Sequence, residues 1–356
     1  MPISQIPSSL TQAPRQNPPA DNVNRRFSVA PMMDWTDRHC RYFHRLLSQH
    51  ALLYTEMVTT GALIHGNRER FLRYDQAEHP LALQLGGSNP QELAECAQMA
   101  QDWGYDEVNL NVGCPSDRVQ NNMIGACLMA HPQLVAECLS EMQARVSIPV
   151  TIKHRLGIDD MESLEQLRHF IEIVKGSGCS TFIIHARKAI LKGLSPKQNR
   201  EVPPLRYEWV HQIKTDFPEL EIIINGGIQT LDQCQQHLEH LDGVMIGREA
   251  YQNPYESLSQ VDSELYGDNH TILSRLEIAE AFIPYLEAQL QEGAPLYSVL
   301  KHLLGLFHGQ RGGKQFRRHI SENGHKSGAA IDVYREALQF VSQEHNNDRA
   351  PLNGPA

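Results

Sequence analysis

Eight short runs, 27–30, 51–57, 81–85, 107–111, 149–153, 181–185, 221–225 and 243–246, are apolar or alternate apolar with polar residues. Their length and period of two read as strands. Between them lie stretches such as 89–103, 132–146, 163–175 and 231–241, whose apolar residues recur at spacings of three and four. Several of these open on Asn, Ser or Thr, the residues whose side-chain oxygens cap a helix start. Strand and helix alternating eight times is the sequence form of a (β/α)8 TIM barrel, and residues 27–262 supply about the usual length for one. An open doubly wound sheet is the competing α/β architecture, but no GxGxxG follows the first run. From about 271 to 343 the pattern is helical only, in AEAFIPYLEAQL, YSVLKHLLGLFH and AAIDVYREALQFV, which predicts a small C-terminal helical domain. Residues 1–26, rich in Pro, Gln, Ser and Asn, and residues 344–356 read as disordered tails.

At 356 residues, with 41% hydrophobic and 21% charged, the chain belongs with soluble globular proteins rather than collagen-like or disordered ones. No uninterrupted apolar run reaches the ~18 residues of a membrane helix, and residues 1–26 lack the apolar centre of a signal peptide. The expected compartment is therefore the cytoplasm, with no membrane partner. Seven cysteines without a CxxC pair indicate neither a disulfide framework nor a zinc ribbon, so no metal is expected. The net charge of −10 argues against a polyanionic partner. Its distribution argues the other way. Residues 186–200 carry Arg187, Lys188, Lys192, Lys197 and Arg200 without an acid, and residues 298–321 carry Lys301, Arg311, Lys314, Arg317 and Arg318 without one. Two basic islands on an acidic body can steer a polyanion to one face, although any single run is as readily a solvated surface.

In a barrel the C-terminal ends of the strands converge on one mouth. Those ends bring together Pro31, Met32 and Met33; Gln84; Asn109, Asn111 and Cys114; Lys153 and Arg155; His185 and Arg187; Asn225, Gly226 and Gly227; and Gly247 and Arg248. Glycines after the seventh and eighth strands expose backbone N–H groups, and barrels commonly place a phosphate there, so these five residues read as a phosphate grip. Lys153 has three readings: a Schiff-base lysine, a cation beside a flavin ring, or a rim residue. His185 and Gln84 could bond the same ring edge or phosphate. Cys114 sits between Gly113 and Pro115 in a stiff turn. An ordinary thiol, with pKa near ~8.5, is protonated at neutral pH and serves better as an acid than as a nucleophile. The other six cysteines read as inert buried thiols.

The segments VAPMMDWTDRHCRYFHR, NLNVGCPSDRVQ, IGACLM, IIHARKAILKGLSPKQNREVPPL, INGG and DGVMIGREAYQNP together resemble the tRNA-dihydrouridine synthases, specifically their bacterial A subtype, over about 27–321. His154, Ile190 and Asn122 depart from that pattern. The resemblance implies an FMN-bound barrel that reduces uridine to 5,6-dihydrouridine at positions 20 and 20a of the tRNA D-loop, with NADPH or NADH as reductant. It implies that Pro31, Met32 and Met33 line the flavin and that Gln84, Lys153 and His185 contact it. Asn225, Gly226, Gly227, Gly247 and Arg248 would hold its phosphate and ribityl chain, and Cys114 would be the proton donor. Asn111, Lys197 and Arg200, with Arg311, Lys314 and Arg317 of the helical domain, would face the tRNA. A monomer is the expected state. The competing classes are a small-molecule FMN oxidoreductase such as a dihydroorotate dehydrogenase, a lysine-dependent aldolase and a non-catalytic RNA-binding module.

Overall fold

The computed structural model describes residues 23–116 and 123–347. Eight parallel strands, β1 (Phe27–Val29), β2 (Leu52–Thr59), β3 (Leu81–Gly86), β4 (Glu107–Val112), β5 (Val150–Arg155), β6 (Thr181–His185), β7 (Glu221–Asn225) and β8 (Gly243–Ile246), pair in sequence order, and β8 returns to β1 to close the barrel. The last three strands match their sequence bounds, whereas β5 runs two residues further and takes Arg155 into the sheet.

Alternation along each strand sorts side chains to two faces. Val29, Leu83, Leu110, Ile152, Ile184, Ile224 and Ile246 belong to the continuous core between sheet and helices. Ala30, Leu52, Tyr54, Ala82, Ile183, Ile223 and Met245 form a second cluster, the apolar filling of the barrel interior. Each such side chain, fully removed from water, contributes about 1.5–3 kcal/mol before its entropy is counted. The outer helices start where the sequence places capping residues. Asn89 accepts from the N–H groups of Gln91 and Glu92, and Ser163 and Thr230 form reciprocal capping boxes with Gln166 and Gln233.

The floor of the barrel corrects the sequence reading. Arg25, expected in a disordered tail, is buried, and its Nε donates to Glu107 at 2.6 Å while Nη1 donates to Glu221 at 2.9 Å. Tyr54 and Thr151 hydroxyls each donate to Glu107 at 2.6 Å, and Thr181 donates to Glu221 at 2.8 Å. A tail residue thus plugs the barrel end opposite the mouth, and no apolar periodicity announces it. The other tail calls, 1–22 and 348–356, lie outside the described residues.

Beyond the barrel come helices Arg275–Ala281, Ile283–Gln291, Leu296–Leu300, Gly313–Asn323 and Ile331–Asn347, the last running four residues past the expected end at 343. They share the outer core with the barrel. Tyr285 stacks on Tyr42 with ring centroids 3.9 Å apart and bonds His39 Nδ1 at 2.8 Å. His302 Nε2 reaches Asp37 at 3.0 Å and Lys301 Nζ donates to the Asp34 carbonyl at 3.0 Å. Asp37 also caps the helix Arg38–Leu47, and its carboxyl is held far below the usual range: burial opposes ionisation, but the hydrogen bond and charge of His302 outweigh it. The helical segment therefore fastens the loop after β1, which carries Pro31, Met32 and Met33. Among the described residues, no helix is long and apolar enough to cross a membrane.

Candidate active site at the barrel mouth

Gln84, Asn111, Lys153, His185 and Asn225 lie in the C-terminal halves of β3 to β7, with His185 and Asn225 at the strand ends and Gln84 and Lys153 two residues inside them, so the closed sheet brings all five to the mouth end of the barrel. Asn111 Nδ2 donates to Gln84 Oε1 at 2.8 Å, and Lys153 Nζ donates to Asn225 Oδ1 at 3.1 Å. Asn225 Nδ2 in turn donates to the Met245 carbonyl at 2.8 Å. Burial and then the neighbouring Arg155 draw the Lys153 ammonium down to about 7. No carboxylate pairs with it among the described residues, so an anion beside Lys153 restores its charge. His185 is kept neutral by burial and by Arg155, Lys153, Arg187 and Arg200 around it, and its Nδ1 is buried without a partner.

Gly226 and Gly227 adopt φ of 115° and 74°, which only glycine takes without strain. A Cβ at Gly227 would lie 2.6 Å from Leu205 Cδ1 and 2.9 Å from the Tyr207 hydroxyl, which itself donates to the Gly226 carbonyl at 2.7 Å. Gly247 lies against Ala30 and Met32, and Arg248 pairs with Glu201 at 2.8 Å. Pro31 and Met32 are half-buried and Met33 is 55% exposed, on a loop turned back by the Met32 N–H bond to Thr36 Oγ1 at 2.9 Å.

Cys114 is half-exposed just past β4. Its backbone is held from three sides. Asn111 Oδ1 accepts from the N–H groups of Gly113 at 3.1 Å and Cys114 at 2.9 Å. The Cys114 carbonyl accepts the Ala126 N–H at 2.9 Å. Gly125, at φ 84°, makes that approach possible, since a Cβ there would lie 2.4 Å from the Cys114 oxygen. On the third side Arg155 Nε donates to the Gly113 carbonyl at 2.8 Å, while its Nη1 donates to the carbonyls of Lys188 at 3.2 Å and Asn199 at 3.1 Å. One buried guanidinium thus ties the Cys114 turn to the basic loop after β6. The other six thiols are pushed up by burial, Cys96, Cys138, Cys179 and Cys234 to about 12.

Lys197 and Arg200 are exposed on that loop, which Asn199 organises from inside by bonding the backbone of Ile190, Leu194 and Ser195. Lys314 and Arg311 are exposed at the start of helix Gly313–Asn323, and Arg317 contacts His308. Among the described residues, no hydrogen bond or ion pair joins Lys314 or Arg317 to the residues of the mouth. Of the departures, His154 lies on the outer barrel face against Phe170 and Phe182, and Asn122 is outside the described residues.

Lys153 without a carboxylate partner among the described residues, an unpartnered buried imidazole nitrogen at His185 and a two-glycine cradle are the donor set a phosphate-bearing, anionic ring system needs. The residues therefore fit the flavin nucleotide that the resemblance implies. Comparison with known proteins agrees with this setting. The dihydrouridine synthase (Dus) family model matches residues 28–342. The chain belongs to the dihydrouridine synthase family. It is 61% identical over 323 residues, 91% of this chain and 96% of the relative, to the tRNA-dihydrouridine(20/20a) synthase of Shewanella oneidensis. It is 60% identical to that of Vibrio parahaemolyticus over 90% of this chain and 98% of the relative, and 56% identical to that of Yersinia pestis over 96% of each.

Sequence reasoning assigned no role to Arg155 or Gly125 in this dihydrouridine synthase. A signal existed for both. Arg155 is a charge two residues beyond Lys153 on the same strand face, and IGACLM presents a glycine where a backbone can approach closely.

Proposed function

We propose that this dihydrouridine synthase, like the tRNA-dihydrouridine(20/20a) synthases it is similar to, reduces uridine to 5,6-dihydrouridine at positions 20 and 20a of tRNA, and that it does so in the cytoplasm and as a monomer, with FMN as cofactor and NADPH or NADH as reductant. Lys153, His185 and Gln84 would hold the ring, Pro31, Met32 and Met33 would line it, and Asn225, Gly226, Gly227, Gly247 and Arg248 would take the phosphate and ribityl chain. When bound and reduced, that group supplies hydride to C6 of the uracil ring. The base must be turned out of its stack to reach the mouth. Addition at C6 leaves negative charge conjugated through C5 to the C4 carbonyl, and Cys114 Sγ gives its proton to C5. Asn111, Lys197 and Arg200 would hold the nucleotide, and Arg311, Lys314 and Arg317 of a helical tRNA-binding domain would hold the RNA backbone.

One observation carries this reading. A half-exposed thiol is fixed by backbone hydrogen bonds beside a mouth whose buried lysine, Lys153, has no carboxylate partner among the described residues, and that pairing of acid and anion site suits reduction of a nucleobase. The test is to incubate the FMN-loaded protein, NADPH and an unmodified tRNA transcript carrying uridines throughout the D-loop, and to map dihydrouridine by position. Signal at 20 and 20a and nowhere else is expected. Signal at other D-loop positions would overturn the position assignment, and turnover of free uridine at a comparable rate would favour the small-molecule oxidoreductase.

A further inference from the structure

A line of hydrogen bonds crosses the barrel interior from floor to mouth. Thr151 Oγ1 donates to Glu107 at 2.6 Å, Asn109 Nδ2 donates to Thr151 Oγ1 at 2.9 Å, and Gln84 Nε2 donates to Asn109 Oδ1 at 2.8 Å. Asn111 Nδ2 then donates to Gln84 Oε1 at 2.8 Å, and Asn111 Oδ1 accepts the N–H groups of Gly113 and Cys114. Its direction is not free. The Glu107 carboxylate, paired with Arg25, can only accept, so the single Thr151 proton points down and its oxygen must accept from Asn109. That turns the Asn109 amide nitrogen toward the floor and its oxygen toward Gln84, and the same necessity passes through Gln84 to Asn111. A reversed Asn111 would set an NH2 group against two N–H donors and release the Cys114 turn.

We infer that Glu107, acting through Thr151, Asn109 and Gln84, is a positioning residue that fixes the orientation of Asn111 and with it the backbone of Cys114. The span is four residues of β4, about 13 Å. This inference rests on the reading of Cys114 as the proton donor. Thr151 is the link to cut, because Thr151→Val removes the hydroxyl, keeps nearly the same volume and leaves the Arg25–Glu107 pair in place.

The experiment uses the full-length, FMN-loaded protein and two readouts: the single-turnover rate of dihydrouridine formation, and the rate at which iodoacetamide alkylates Cys114, followed on its own peptide by mass spectrometry. Thr151→Val is expected to slow the first about tenfold and to change the second several-fold, while Thr151→Ser, which keeps the hydroxyl, restores both. A merely structural Thr151 would move the melting temperature and leave both readouts unchanged, which would overturn the inference. So would a Thr151→Ser variant as defective as Thr151→Val. If Thr151→Val does not fold, Thr151→Ala is judged by the same criteria. Cys114→Ala separates the two readings. Full activity in that variant sinks the proton-donor reading itself, whereas lost activity there with a normal Thr151→Val sinks only the relay.

Discussion

Replacing Cys114 by alanine is expected to lower dihydrouridine formation by about 10²–10⁴-fold, the range a positioned general acid contributes. The loss should be confined to chemistry. Alanine keeps the N–H that bonds Asn111 and the carbonyl that accepts from Ala126, so the turn survives and only the acidic proton goes. The proposed flavin grip on β3, β5, β6, β7 and β8 is untouched, so flavin content and tRNA affinity should equal those of the wild type. Cys114→Ser sharpens the point, because a hydroxyl of similar shape is far less acidic than a thiol and should recover little of the rate. The measurements are dihydrouridine per tRNA by nucleoside mass spectrometry, flavin absorbance, and filter-binding affinity. Wild-type turnover in Cys114→Ala would remove the thiol from the mechanism, and loss of flavin along with activity would make its role structural.

The second large effect lies at the other end of the barrel. Arg25→Met is expected to destabilise the fold by about 3–5 kcal/mol, because it leaves Glu107 fully buried with only the Tyr54 and Thr151 hydroxyls as donors. A melting temperature lower by something on the order of 10 °C should follow. Adding Glu107→Gln to Arg25→Met removes the stranded charge and should recover part of the loss, the sign of a specific pair rather than a general packing defect. Thermal melts of the four proteins in the cycle decide it. A change below about 1 kcal/mol in Arg25→Met, as for a solvated surface pair, would return Arg25 to the tail where composition alone places it.

That pair marks where the sequence stops being legible. The barrel could be read because each strand repeats the same instruction: alternating or continuous β-branched residues between capped amphipathic helices, as in Ile222, Ile223 and Ile224 of β7 followed by the Thr230 cap. The rim could be read because a barrel places strand ends at one mouth, so Gln84, Asn111, Lys153, His185 and Asn225 were found by counting. Arg25 has no such periodicity. It lies in a polar segment, and its partners Glu107 and Glu221 are 82 and 196 residues away, so only closure of the sheet reveals the contact. Arg155 could be placed at the mouth, but its role could not be read, for a related reason. Its partners are the carbonyls of Gly113, Lys188 and Asn199, and backbone atoms carry no residue-type signal. Gly125 escaped because its value lies in an absent Cβ beside Cys114, which depends on how two loops meet.

The central claim is that a flavin held at the mouth gives its electrons to a tRNA uridine while Cys114 supplies the proton. The most direct measurement loads the protein with FMN, reduces it without oxygen, removes excess reductant and mixes it with unmodified tRNA transcript while following absorbance near the flavin maximum. The account predicts that the oxidised spectrum returns in step with dihydrouridine, one per flavin. A spectrum that stays reduced while tRNA is bound, or a protein that does not retain FMN, would contradict it.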